Sequence, residues 1–151
     1  MLRKGYGTIV TISSVIGQTG AAQLTDYAAA KAGLIAMHKS MTAELRAYPE
    51  IKTILVAPGQ LSTPLFAGVQ TPSNFFAPVI EPVEVAKEVI AAIEGGSSAE
   101  LAMPFYTRWI EWLNVLPVGL QRIARWVSGV DVAMKDFVGR AGASLNEKHL
   151  L

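Results

Sequence analysis

The sequence predicts an α/β fold: a parallel sheet of about three strands, backed by helices and followed by an amphipathic helical tail. Three observations carry this expectation. A short β-branched run, Thr8-Ile9-Val10-Thr11-Ile12-Ser13, reads as a buried strand. A long stretch of helical period follows it, and a second apolar run, Lys52 to Ala57, follows that. Strand and helix alternating in this way imply right-handed crossovers and a parallel sheet.

Each element has its own signals. The helix over Thr25 to about Tyr48 has Thr25 as its expected N-cap and Pro49 just beyond its end. Its apolar stripe is expected to include Leu34, Met37, Met41 and Leu45, while Ala28, Ala29, Ala32, Gly33 and Ala36 would allow a neighbouring element to approach closely. A further helix opens at Pro82 and runs to about Glu94, with Val83, Ala86, Val89, Ile90 and Ile93 on its expected buried side and Gly95-Gly96 as its stop. Glu100 to Met103 is the expected last strand. The first strand is expected to leave one edge unpaired, which is an aggregation hazard.

The chemistry-bearing residues cluster at the front of the chain. Ser14 ends the first strand, and Tyr27-Ala28-Ala29-Ala30-Lys31 begins thirteen residues later, after a glycine-containing loop. Ligands of open α/β sheets bind at the carboxyl ends of strands, where Ser14 stands. Tyr27 and Lys31, four apart, share one face of a helix. A hydroxyl, a phenol and an ammonium can together move a proton on an alcohol or a carbonyl. A tyrosine titrates near ~10, so acting near pH 7 asks for roughly 4 kcal/mol of phenolate stabilisation. One ammonium at about 4 Å supplies about that at an effective dielectric near 20. Ser14 could hydrogen-bond the substrate oxygen. No side chain supplies a hydride, so such a site needs a redox cofactor. A Tyr-x-x-x-Lys pair alone also fits a packed tyrosine beside a solvated lysine, and its neighbours make the difference.

Those neighbours resemble the short-chain dehydrogenase/reductase family. Gly7-Thr8-Ile9-Val10-Thr11-Ile12-Ser13-Ser14, the gap to Tyr27, and Lys31 resemble its catalytic segment, and Ala57-Pro58-Gly59-Gln60-Leu61-Ser62-Thr63 looks like its Pro-Gly-x-x-x-Thr loop. The resemblance implies the C-terminal half of a Rossmann-like, doubly wound parallel sheet. It implies Tyr27 as general acid/base and also as a cofactor contact, Ser14 orienting the substrate oxygen, and Lys31 lowering the tyrosine pKa and bonding the nicotinamide ribose. Pro58, Gly59, Leu61 and Thr63 would contact the nicotinamide end of NAD or NADP. No role is implied for Ser13.

The family's glycine-rich phosphate loop, its residue that selects the cofactor, its Asn-Ala-Gly segment and its catalytic asparagine have no counterpart here. The expectation is therefore a truncated dehydrogenase, with Met1 an internal methionine of a longer protein and no turnover by these 151 residues alone. In the family, the Tyr27 helix and the one before it build a dimer interface, so a homo-oligomer is implied for the full-length form.

Composition narrows the alternatives. Hydrophobic residues are 51% and charged residues 17%, with a net charge of +1, which gives no electrostatic case for nucleic acid. The absence of cysteine excludes disulfides, thiolate catalysis and cysteine-based zinc sites. No metal site is expected, since His38 and His149 are far apart; His38 reads as a packed or solvated residue of its helix. The amino terminus runs from two basic residues into Gly-Tyr-Gly without an apolar signal segment. No apolar stretch nears the ~20 residues of a spanning helix. An intracellular protein is expected.

Two stretches point to lipophilic partners. The loop from Ser62 to Ile80 carries Pro64, Phe66, Pro72, Phe75, Phe76 and Pro78, where the family places a substrate lid. Its phenylalanines suit either a lipophilic substrate or core closure. From Met103 to about Arg140, Phe105, Trp109, Trp112, Leu113 and Leu116 form one apolar stripe. After Pro117, Leu120, Ile123, Trp126 and Val127 form a second, with Arg122 and Arg125. Tryptophan and arginine on short amphipathic helices suit a membrane interface, and a packed lid or partner surface equally well. The tail resembles that of dehydrogenases associated with membranes or lipid droplets and acting on retinoids and steroids. The expected division is a partial catalytic region over 1–103 and a helical extension over 104–151. The expected function is hydride transfer between NAD(P) and a hydrophobic alcohol or ketone. The alternatives are a non-catalytic interaction fragment and a peripheral module on endoplasmic reticulum or lipid-droplet surfaces.

Overall fold

Three parallel strands in the order β1-β2-β3 organise the chain. The structure, a computed structural model, describes residues 1–63 and 78–132. Strand β1 spans Gly7–Ile12, β2 Ile51–Pro58 and β3 Ala99–Met103, each within a residue or two of its expected place. Residues Gly7 to Ile12 pair with Ile51 to Val56, and Ile54 to Pro58 pair with Ala99 to Met103. Central strand β2 is nearly all apolar, as a strand covered on both faces must be. Its other neighbour being β2 alone, β1 keeps one edge open among the described residues.

The helices are α1 (Ile16–Thr19), α2 (Thr25–Glu44), α3 (Pro82–Glu94), α4 (Ile110–Leu113) and α5 (Val118–Ser128). A 3-10 turn, Leu45–Ala47, extends α2, and another, Phe105–Trp109, leads into α4. Pro82 opens α3, and it stops at Gly95-Gly96. Ile54 and Val56 of β2, fully buried, meet Ile80 and Val85, with Val10, Val89, Ala92 and Leu101 packed around them. Burying each such side chain contributes about 1.5–3 kcal/mol.

Three sequence expectations are corrected here. Thr25 is the first helical residue rather than the cap: Leu24 holds that position and no side chain caps the helix. The carboxylate of Asp26 instead accepts the Tyr27 N–H at 2.8 Å. On α2, Met37 faces outward, and His38 takes the inward place beside Ile35. Its Nδ1 lies 2.9 Å from the Thr11 hydroxyl, so the strand supplies the polar partner that a buried ring needs. Burial holds its pKa below the ordinary value, with Glu100 pulling the other way.

On α3, Val85, Val89 and Ala92 face the sheet, while Val83, Ala86, Ile90 and Ile93 face outward. This helix is apolar on two sides, so its period alone does not choose the buried one. The choice follows from its entry. Ile80 bridges Leu61, its N–H donates to Gln60 O, and its side chain packs beside Val85.

Candidate active site

The carboxyl ends of β1 and β2 lie side by side, and the site grows from that edge. The N–H of Ser13 donates to Val56 O at 2.7 Å and that of Val15 to Pro58 O at 3.0 Å, so strand-like pairing continues past the end of β1. Ser14, buried between them, points its hydroxyl at Pro58 O (3.5 Å) and accepts the Ile16 N–H (3.3 Å). The last residue of β2 thus touches the serine directly.

Helix α2 is fastened to the same edge by two bonds. The Ser13 hydroxyl donates to the Lys31 carbonyl at 2.8 Å, and Lys31 Nζ donates to the Ile12 carbonyl at 3.1 Å. Lys31 is therefore held at its ammonium by Ile12, the last residue of β1, and at its backbone by Ser13, the residue after it. Its Nζ lies 5.7 Å from the centre of the Tyr27 ring, the neighbour one turn away that the spacing predicts. An ammonium carries three donors, and one of Lys31's is given to Ile12.

Gly17 completes the packing. A β-carbon there would fall 2.7 Å from the Lys31 carbonyl carbon and 2.9 Å from its oxygen. Helix α1 can lie on α2 at this point only because residue 17 has no side chain. Sequence reading took Gly17 as a loop glycine and assigned nothing to Ser13. The signal that could have found them is the pair of hydroxyls and the glycine next to the catalytic-type serine, but both make contacts with distant backbone that no periodicity reports.

The loop residues fall near this edge as well. The Gly59 N–H donates to Met103 O at 2.6 Å, tying the loop to the end of β3. Leu61 forms a parallel bridge with Ile80, and the Thr63 N–H donates to the Leu61 carbonyl at 2.8 Å. Ser14 and Pro58 are brought into contact; Tyr27 and Lys31 form a second group, joined to the first through Ile12 and Ser13. Leu61 and Thr63 form a third, at the feet of the segment whose phenylalanines lie outside the described residues. The tail past residue 132, His149 included, lies outside them too. No group of three metal-ligating side chains occurs among the described residues, and none of their helices is long and apolar enough to cross a membrane.

The family model for short chain dehydrogenases matches residues 1–74. The uncharacterized oxidoreductase TDA5 of Saccharomyces cerevisiae is 42% identical over 130 residues, which is 85% of this chain and 40% of that protein. Retinol dehydrogenase 10 of Homo sapiens is 35% identical over 97 residues, covering 62% of this chain and 28% of its own. Among solved structures, a short chain dehydrogenase from Burkholderia cenocepacia in complex with NADP superposes with a TM-score of 0.63 at 23% identity, over 83% of this chain and 48% of that one. An actinorhodin polyketide ketoreductase with NADPH gives 0.58 at 25% identity, over 71% and 49%. The chain spans less than half the length of each of these proteins. Its three parallel strands and flanking helices are the Rossmann-like α/β arrangement of those solved neighbours. Motif order, fold and relatives agree, and the chain belongs to the short-chain dehydrogenase family.

Proposed function

We propose that this chain is the catalytic part of an oxidoreductase that interconverts a hydrophobic alcohol and its carbonyl compound with NAD or NADP. The observation that carries the reading is the fastening of Lys31 to the end of β1, which holds its ammonium against the Tyr27 ring and beside Ser14's strand. Tyr27 is the general acid/base: its hydroxyl gives a proton to the substrate oxygen in one direction and takes it in the other. Ser14 hydrogen-bonds the same oxygen and holds it there. The remaining donors of the Lys31 ammonium suit the vicinal hydroxyls of a ribose. Pro58, Gly59, Leu61 and Thr63 form the loop against which a nicotinamide ring would rest. The nucleotide, when bound, supplies the hydride chemistry that no side chain here offers. Similarity to retinol dehydrogenase 10 supports a lipophilic alcohol as substrate. We assign this activity to 1–103 and treat 104–151 as an extension.

The half of the cofactor that these residues would meet can be tested directly on the 151-residue chain with reduced nicotinamide mononucleotide as the probe. Binding, read from nicotinamide fluorescence, is expected to weaken roughly 10- to 100-fold in Lys31→Ala, the loss of about 1.5–3 kcal/mol in bonds to a charged donor. Equal affinity in the two proteins would remove Lys31 from the nucleotide site.

A second reading of the tail rests on the orientation of α5. Arg125 and Ala124 turn toward the body, while Ile123, Val127 and Trp126, which is 83% exposed, turn away from it. Trp109, Trp112 and Phe105 are exposed as well. We infer that this apolar surface, carrying Arg108 and Arg122, lies on a membrane or lipid-droplet surface. The outward small-residue face of α2, with Ala29, Gly33 and Ala36, supports pairing with a second copy. Co-sedimentation with phosphatidylcholine–phosphatidylserine vesicles is expected to fall at least fivefold in the Trp109→Ala, Trp112→Ala, Trp126→Ala triple variant, since each interfacial aromatic contributes apolar area. Undiminished sedimentation would end the membrane reading.

A further inference from the structure

A separate set of contacts ties the tail to the segment between Ser14 and Tyr27. Arg125 Nη1 on α5 donates to the carbonyls of Thr19 (2.9 Å) and Gly20 (3.5 Å). Its Nε donates to Asp131 Oδ2 at 3.0 Å and its Nη2 to Asp131 Oδ1, a two-pronged pair of the strong, directional kind. Asp131 Oδ1 in turn accepts the Ala22 N–H at 3.2 Å. Nearer the start of the tail, Asn114 Nδ2 donates to the Gln18 carbonyl at 3.0 Å. Backbone groups of Gln18, Thr19, Gly20 and Ala22 thus all end on tail side chains.

Two features make these contacts more than incidental. Gln23, at φ 66°, sits in the left-handed region without glycine's freedom, so the segment follows a course that a free chain would seldom choose. And α5 sits with Arg125 inward and Trp126 outward, the reverse of what apolar burial alone would select. Polar attachment to the segment, rather than hydrophobic contact, decides how this helix lies. Gly129, at φ 65°, ends α5 with its N–H on Arg125 O and turns the chain so that Asp131 meets the arginine.

We propose that Arg125 and Asp131 are positioning residues of the site: they strap the tail to residues 18–22 and so fix the span between Ser14 and Tyr27. The inference rests on the reading of those two hydroxyls as the pair that meets the substrate oxygen. A substrate touching both lies beside the segment that joins them, so the strap sets how well that substrate is held. The reacting groups themselves stay on the end of β1 and on α2. The hydrogen bond from Arg125 holds the Asp131 carboxyl below its ordinary pKa, so the pair is charged at neutral pH.

The test compares Arg125→Ala, Asp131→Asn and the conservative Arg125→Lys with wild type in the full-length protein. Amide exchange of Ala22 and its neighbours is expected to quicken at least tenfold in the first two variants, while Ile54 and Val56 exchange as before. With retinol as the probe substrate, KM is expected to rise at least fivefold with kcat within twofold, and Arg125→Lys to recover part of the loss. Unchanged exchange overturns the strap, and quickened exchange with unchanged KM overturns its positioning role. If wild type turns over no alcohol at all, the enzymatic reading falls and the positioning role with it, while exchange still decides whether the strap exists.

Discussion

Tyr27→Phe in the full-length protein is expected to lower turnover by about 10²- to 10⁴-fold, the usual contribution of a positioned general acid/base. At about 1.36 kcal/mol per decade this is roughly 3–5 kcal/mol of transition-state stabilisation. The substitution is a narrow one. Phenylalanine keeps the ring that Lys31 approaches at 5.7 Å and removes only the hydroxyl, so the melt reads what that hydroxyl adds to stability apart from its part in turnover. Nucleotide affinity is expected to fall less than in Lys31→Ala, because on the proposed function the ammonium carries the bonds to the ribose. Steady-state kinetics beside a thermal melt separate these effects. A rate within threefold of wild type would take Tyr27 out of the chemistry.

Gly17→Ala is the second large effect expected, and it is structural. The added β-carbon would lie 2.7 Å and 2.9 Å from the carbonyl carbon and oxygen of Lys31, which are backbone atoms and cannot swing aside. That carbonyl also accepts the Ser13 hydroxyl. Either α1 lifts away from α2, or the Ser13–Lys31 bond opens. Overpacking of this kind costs about 1–3 kcal/mol. With a slope of 1–3 kcal/mol per molar for small proteins, the urea midpoint should fall by about 1 M. Gly33→Ala supplies the contrast. Nothing lies within 4 Å of its would-be β-carbon, and α2 should gain about 0.5–1 kcal/mol from the better helix former. A Gly17→Ala protein as stable as wild type would mean that the two helices do not meet where the structure puts them.

Much of the fold could be read from local pattern. The β-branched run at Thr8, the apolar run at Lys52 and the Pro82 to Gly95-Gly96 frame each fixed an element within a residue or two, because each is a property of consecutive residues. Ser14, Tyr27 and Lys31 were legible for the same reason: a strand end and a helical spacing of four place them on one edge. What escaped depends on partners far away in sequence. His38 is indistinguishable from a solvated helix histidine until Thr11 is known to face it. The inward side of α3 is settled by Ile80 and Val85 against β2, not by α3's own period. Ser13, Gly17 and the Arg125–Asp131 strap act on backbone eighteen, fourteen and about a hundred residues distant, where no spacing rule reaches.

The bridge between Leu61 and Ile80 has a consequence for how such a protein can diversify. With the Ser62 N–H on Ile80 O at 3.0 Å and the Ile80 N–H on Gln60 O at 2.9 Å, the two feet of the intervening stretch are pinned together. Once the feet are fixed, the closure entropy of whatever joins them grows only logarithmically, by about 0.6 kcal/mol for each doubling of its length. That is small beside the 5–15 kcal/mol that typically separates folded from unfolded chains. Insertions and deletions there can accumulate without disturbing the sheet edge or the entry into α3. On the proposed function, substrate preference could then shift through this one stretch of chain while Ser14, Tyr27 and Lys31 stay where the end of β1 and α2 hold them.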